Sequence, residues 1–225
     1  MKFKVALCDI EGTTTSISFV HEVLFPIAYD EMPAFLENHY SDGLIKSEIK
    51  NIVSSGVGDS PADVCAYLQG LIKEDKKDTD LKSIQGKIWA EAYSAGKIKG
   101  HLYEDVLPAW RLMKEQGRVI AIYSSGSVEA QKLIFGFSEK GDLTEYISAY
   151  FDTRVGGKKE SASYHTIVKE LQVEAADILF LSDVGEELDA AAEAGLQTIQ
   201  FKRSDNQKFI QSSHETVTSF DGIPL

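Results

Sequence analysis

Four short apolar runs punctuate a chain that is otherwise patterned for helix. They are Phe3–Cys8 (FKVALC), Val119–Tyr123 (VIAIY), Ile178–Leu181 (ILFL) and Thr198–Phe201 (TIQF). Each is brief and rich in β-branched or aromatic residues, which predicts buried strands rather than helices. Helical periodicity fills the gaps between the later runs. Glu104–Gln116 sets Val106, Leu107, Trp110 and Met113 on one face and stops at Gly117, a C-cap signal. Ser127–Phe135, Tyr164–Leu171 and Glu186–Ala194 repeat the pattern, the last ending at Gly195. Helices alternating with buried strands imply an α/β fold, a Rossmann-like parallel sheet with helices on both faces.

Residues 20 to 100 break this rhythm. No strand pattern occurs there, and Phe25–Tyr40, Leu44–Val53, Ala62–Lys73 and Leu81–Ala95 all read as amphipathic helices. Pro61 and the Asp/Lys cluster at 74–80 separate them. Sheet material flanks the block on both sides, so it is an insertion. The expected division is a core of residues 1–18 and 101–225 and an all-helical cap of residues 19–100. The segment after Phe201 is polar and is expected to be weakly structured until Val217–Phe220.

Charge narrows the partners. Against 23 Lys and Arg stand 35 Asp and Glu, a formal net charge of −12 over 225 residues. Such a chain repels nucleic acid and anionic membrane. A site for an anionic substrate would need locally concentrated cations. The two cysteines, Cys8 and Cys65, make no disulfide framework, and Cys8 reads as a small buried apolar residue. No run approaches the ~18 apolar residues of a membrane span. A cytoplasmic monomer is expected.

In a parallel sheet, ligands bind beyond the carboxyl ends of the strands. Asp9 and Glu11 follow the first run, Ser124, Ser125 and Gly126 the second, Ser182 and Asp183 the third. Two carboxylates converging at low dielectric require a cation or proton between them. Hard oxygen ligands suit Mg²⁺, which combines one or two carboxylates with water and substrate phosphate. The hydroxyls and amides of Ser124–Gly126, at a helix N-terminus, can hold phosphate oxygens. The loop FDTRVGGKKESASY offers Arg154, Lys158 and Lys159 in a flexible Gly-Gly context. Glu187, one helical turn after Asp183, is equally readable as a partner of a metal-bound water or as a solvated helix residue. His101 lies where the chain returns from the insertion.

Four motifs in order, DIEGTT, SSGS, GGKKES and LSDVGEELDAA, resemble those of the haloacid dehalogenase-like hydrolases. That family's usual first motif is Asp-x-Asp, whereas Glu11 stands second here. With DIEGTTTSISFVHEVLFP, GHLYEDVLPA, YSSGSVEAQKLIFG and FDTRVGGKKES, the chain is similar over nearly its whole length to the enolase-phosphatases of methionine salvage. The resemblance implies enolisation of 2,3-diketo-5-methylthiopentyl-1-phosphate, then loss of phosphate to give the acireductone 1,2-dihydroxy-3-keto-5-methylthiopentene. It implies Asp9 as nucleophile and Glu11 as proton-transfer residue. One Mg²⁺ would be held by Asp9, the backbone carbonyl of Glu11, and Asp183. Ser124, Ser125 and Lys158 would bind the phosphoryl group, although spacing alone does not separate Lys158 from Lys159. The helical insertion would act as a lid. Alternatives are a general sugar or nucleotide phosphatase on the same scaffold, or an aspartate-phosphorylated receiver module. The insertion argues against the second.

Overall fold

The computed structural model describes residues 2–41 and 43–224. The chain divides into two compact units, Met1–Phe19 with Lys99–Leu225, and Val20–Ile98.

The first unit is built on a six-stranded sheet of order β3-β2-β1-β4-β5-β6. Its strands are β1 (Val5–Cys8), β2 (Val119–Tyr123), β3 (Ile147–Phe151), β4 (Ile178–Ser182), β5 (Gln197–Phe201) and β6 (Thr216–Val217). Every pairing is parallel. β1 lies between β2 and β4, with Val5 opposite Val119 on one side and Ile178 on the other. All four of its residues are buried, which explains the unbroken apolar run. Val5 and Leu7 pack with Tyr123, Phe180, Tyr164, Ile167 and Leu188. Burial pushes the Cys8 thiol well above its usual range, as befits an inert core residue.

Six strands, not four, make this sheet. The two that the apolar pattern overlooks are its edges. β3 is an edge strand with exposed Ser148 and half-buried Ala149 and Tyr150, so it lacks a continuous apolar signal. β6 has two residues. The helices of this unit are α1 (Ile17–Phe19), α6 (Val106–Glu115), α7 (Val128–Gly136), α8 (Ser161–Leu171) and α9 (Gly185–Glu193).

The second unit holds a π-helical turn (Val20–Leu24) and α2 (Phe25–His39), α3 (Lys46–Ser54), α4 (Pro61–Lys73) and α5 (Thr79–Ser94). Local chemistry starts two of these helices. Ser60 accepts the Asp63 amide at 3.1 Å ahead of Pro61, and Asp78 accepts the Leu81 amide at 2.8 Å. Their apolar faces meet in a core that includes Met32, Leu36, Ile45, Val64, Leu68 and Ile84.

One charge is buried beside that core. Glu48 on α3 accepts the Ser47 hydroxyl at 2.7 Å, the Ser83 hydroxyl at 2.5 Å and Lys87 Nζ at 2.5 Å. Burial opposes its ionisation, but the bonds from Lys87, Ser83 and Ser47 outweigh it and hold the carboxyl at about 2. An acid whose folded pKa is depressed stabilises the fold above its unfolded pKa and loses that contribution as pH falls. Glu48→Gln is therefore expected to lower unfolding free energy at pH 7 by about 2–3 kcal/mol. The gap should close as pH drops from the ordinary 4.5 toward 2. Urea unfolding at neutral and acid pH checks this, and a gap constant with pH would contradict it.

Candidate active site

Asp9 sits directly beyond β1, with its amide donating to Leu181 O at 2.9 Å across to β4. Asp183 follows β4, so strand pairing brings the two acids to one sheet edge. The chain must turn sharply after Asp9. Gly12 takes φ +71°, a left-handed backbone that glycine adopts without strain. It also makes room, because a Cβ there would lie 2.4 Å from Asp183 Oδ2. Thr13, Thr14 and Thr15 are fully buried, and their amides donate to Ile10 O. The Thr14 hydroxyl lies 3.1 Å from Asp9 O. Glu11 forms a bridge pair with Thr15 and is half-buried.

Lys158 joins the acids. Its Nζ lies 2.6 Å from Asp9 Oδ1 and 2.6 Å from Glu187 Oε2, and its side chain is 6% exposed. Lys159 instead extends outward to Glu186 and is mostly exposed. Arg154 turns back onto Asp152, with Nε 3.0 Å from both carboxylate oxygens. Of the three loop cations read from sequence, Lys158 is thus the one at Asp9. Arg154 and Lys159 are paired elsewhere, with Asp152 and Glu186.

The loop is also fastened rather than flexible. Tyr123 OH donates to Gly156 O at 3.0 Å, Ser163 Oγ to Gly157 O at 2.8 Å and Tyr164 OH to Lys158 O at 2.6 Å. Gly156, at φ +127°, passes so close to Ser163 that a Cβ would meet its hydroxyl oxygen at 2.2 Å. Three hydroxyls from β2 and α8 thus fix three successive carbonyls and set the Lys158 side chain in place.

Two carboxyl groups, Asp9 and Glu187, contact the Lys158 ammonium, and Asp183 feels its charge. Burial, with Glu187 and Asp183 nearby, pushes Asp9 up against the pull of Lys158. Asp183 is raised too, by burial first and then by Glu187, against Lys158 and the Asn206 amide. Burial works against the charge on Lys158, but Asp9 and Glu187 outweigh it and raise its pKa. Lys158 is therefore a cation, and the acids are short of positive charge. Ser182 lies between them, 2.9 Å from Glu187 Oε2 and 3.3 Å from Asp9 Oδ2. It has one proton to give, and the shorter contact favours Glu187.

Ser124 follows β2 and is buried, its amide 3.2 Å from Phe151 O and its Oγ accepting Gly126 N–H at 3.1 Å. Ser125 is exposed. Ser127 caps α7 by accepting the Ala130 amide at 3.2 Å. Buried Gln131 donates to Gly126 O at 2.9 Å and Phe151 O at 2.8 Å, tying this turn to the end of β3. Asp152, beyond β3, accepts the Val128 amide at 3.3 Å and so braces the start of α7.

Among the described residues no cluster of three or more His, Cys, Asp or Glu side chains has metal-binding geometry. The donors present fit a different demand. Two carboxylates at neighbouring strand ends, short of positive charge, suit an ion that completes its shell with carbonyl, water and phosphate oxygens, as Mg²⁺ does.

A family model described as haloacid dehalogenase-like hydrolase matches residues 3–195. The chain is 45% identical over 221 residues to Enolase-phosphatase E1 of Thioalkalivibrio sulfidiphilus, covering 98% of each chain. It is 48% identical to that of Hahella chejuensis, over 96% of this chain and 94% of the relative. The chain belongs to the haloacid dehalogenase-like hydrolases, among the enolase-phosphatases. The crystal structure of the UTR4 protein of Saccharomyces cerevisiae matches this hydrolase with a TM-score of 0.85 and 33% identity, over 99% of this chain and 100% of that one. Haloacid dehalogenase-like hydrolases generally use Mg²⁺, in keeping with the donor set.

Sequence reasoning missed part of this hydrolase's site. Asp152 escaped because β3 escaped, and with it the strand end that carries the residue. The polar tail after β5 is expected from sequence to be weakly structured, yet its side chains bond to the site. Buried Arg203 donates to Thr13 O through Nε at 2.9 Å and NH2 at 2.6 Å, and pairs with Asp105 at 2.8 Å. Asp205 accepts the Ser16 hydroxyl at 2.5 Å and Tyr103 OH at 2.7 Å. Asn206 reaches Asp183. His101 faces the same loop, with Nδ1 accepting the Ser16 amide at 3.1 Å, which leaves the proton of the neutral ring on Nε2.

Proposed function

We propose that this hydrolase converts 2,3-diketo-5-methylthiopentyl-1-phosphate to the acireductone 1,2-dihydroxy-3-keto-5-methylthiopentene and phosphate, with Asp9 as nucleophile. The observation that carries the reading is Asp9 itself. It is a buried carboxylate at a central strand end, gripped by a buried ammonium, with Glu11 two residues on.

Asp9, Asp183 and the Glu11 carbonyl would hold Mg²⁺, which would supply positive charge to offset the phosphate and the charge that develops on enolisation. The chain's own residues do the rest. Glu11 takes a proton from C1, and the carbonyl oxygen at C2 gains one, giving the enol phosphate. An Asp9 oxygen then attacks phosphorus, forming an aspartyl-phosphate as the bond from phosphorus to the C1 oxygen breaks. Water hydrolyses the aspartyl-phosphate and restores Asp9. Ser124 and Ser125 hold phosphoryl oxygens, and Lys158 offsets their charge. The proton leaves C1 and the phosphoryl group leaves the oxygen on C1, so one set of positive charges serves each reaction in turn.

The test is purified protein with the diketone phosphate and Mg²⁺. A rise in enol absorbance followed by one phosphate per substrate is expected. Glu11→Gln should slow the first phase by about 10²–10⁴. Phosphate released from many sugar phosphates but none from the diketone would overturn the reading.

A further inference from the structure

Asn206 lies in the tail turn after β5 and is buried. Its Oδ1 accepts the Lys208 amide at 3.1 Å, which fixes the direction of the side-chain amide. The NH₂ group therefore faces Asp183, with Nδ2 2.6 Å from Oδ2. Gly12 abuts the same oxygen. Gln200 Nε2 donates to the Asp183 backbone carbonyl at 3.0 Å. Asp183 is thus gripped at its main chain and at one carboxylate oxygen. The residues flanking Asn206 are anchored to the loop that carries Asp9, Arg203 on Thr13 and Asp205 on Ser16.

We propose that Asn206 is a positioning residue that holds the Asp183 carboxylate in the orientation that receives a divalent cation. This rests on the reading of Asp183 as a magnesium ligand. Mg²⁺ demands near-octahedral geometry, so a carboxylate free to rotate binds it less well. An amide suits the task because it is a neutral donor. A Lys or Arg here would compete with the ion for Asp183, and another carboxylate would add to an excess of negative charge. The polar tail, featureless as sequence, supplies a fixed dipole to a residue 23 positions away.

The test titrates Mg²⁺ alone, by calorimetry, into the metal-free full chain. Asn206→Ala should weaken Mg²⁺ binding by about 10–100-fold. Its half-saturating Mg²⁺ for turnover should rise by the same factor, while kcat at saturating Mg²⁺ stays within about threefold. Asn206→Ser keeps an oxygen for the Lys208 amide but is too short to reach Asp183. It should show the same loss, and it serves should the alanine variant fail to fold. Gln207→Ala, an exposed neighbour in the same turn that leaves the Asn206 amide and its anchors in place, should bind Mg²⁺ within about threefold of wild type. Wild-type affinity in both Asn206 variants would overturn the proposal, as would equal losses in the Asn206 and Gln207 variants. If wild type bound no Mg²⁺, or Asp183→Asn bound it as tightly, the magnesium reading itself would fall.

Discussion

Asp9→Asn is expected to cut phosphate release by about 10⁴-fold or more, with the fold intact. The amide is nearly the same size as the carboxylate, and its oxygen can still accept the Ile10 amide that now reaches Asp9 Oδ1 at 2.7 Å. It cannot attack phosphorus. Wild type quenched during turnover should carry a hydroxylamine-sensitive phosphoprotein, and the variant none. The stability effect should be mild. Burial, Glu187 and Asp183 push Asp9 up, so the ionised acid is not at ease in the folded chain. Lys158 also keeps Glu187 at 2.6 Å as a partner. The melting temperature of the metal-free variant should match or exceed wild type at pH 8. Wild-type turnover would refute the nucleophile assignment, and a collapse in melting temperature would assign the lost activity to misfolding.

Lys158→Met should do damage of another kind. Removing the ammonium leaves Asp9 and Glu187 buried without their counter-charge, a loss of about 3–5 kcal/mol at neutral pH. Phosphate release should fall by about 10³-fold, because the charge that faces the phosphoryl group is gone. The pH dependence gives the sign. Burial already raises Asp9 against the pull of Lys158, so in the variant its folded pKa stands above its unfolded one and the folded state binds more protons between those values. Stability then falls as pH rises through that interval. The variant should unfold at lower denaturant concentration at pH 8 than at pH 5, and that slope should be weaker in wild type. Lys159→Met, which removes an exposed cation paired with Glu186, serves as the control and should change neither quantity appreciably. Equal effects from the two lysines would show that burial at 158 is not what matters.

The legible part of this molecule is the part whose physics is local. Apolar runs marked the four inner strands because each is wholly or mostly buried. The edges were silent for the opposite reason, since β3 leaves Ser148 exposed and β6 is two residues long. Carboxylates at strand ends pointed to the site because parallel topology aligns those ends. Choosing among the loop cations was beyond spacing. Lys158 and Lys159 are neighbours, and Tyr123, Ser163 and Tyr164 decide which of them turns inward by fixing the carbonyls around them. The tail was opaque because its partners are remote. Arg203 meets Thr13 across 190 positions, and no pattern within a window of the sequence carries that information.

The position of β1 has a consequence for how the protein is made. The strand that leads into Asp9 is made well before its partners, which begin at Val119 and Ile178. Until they are made it is an apolar segment with neither partner strand. The helical unit Val20–Ile98, contiguous and with its own core, can form in the meantime. The sheet closes only when the last third of the chain arrives, and such distant parallel pairing is slow. The nucleophile's strand is thus made long before the residues that put the nucleophile in register. A chain truncated anywhere before β4 exposes its most apolar strand and has no site.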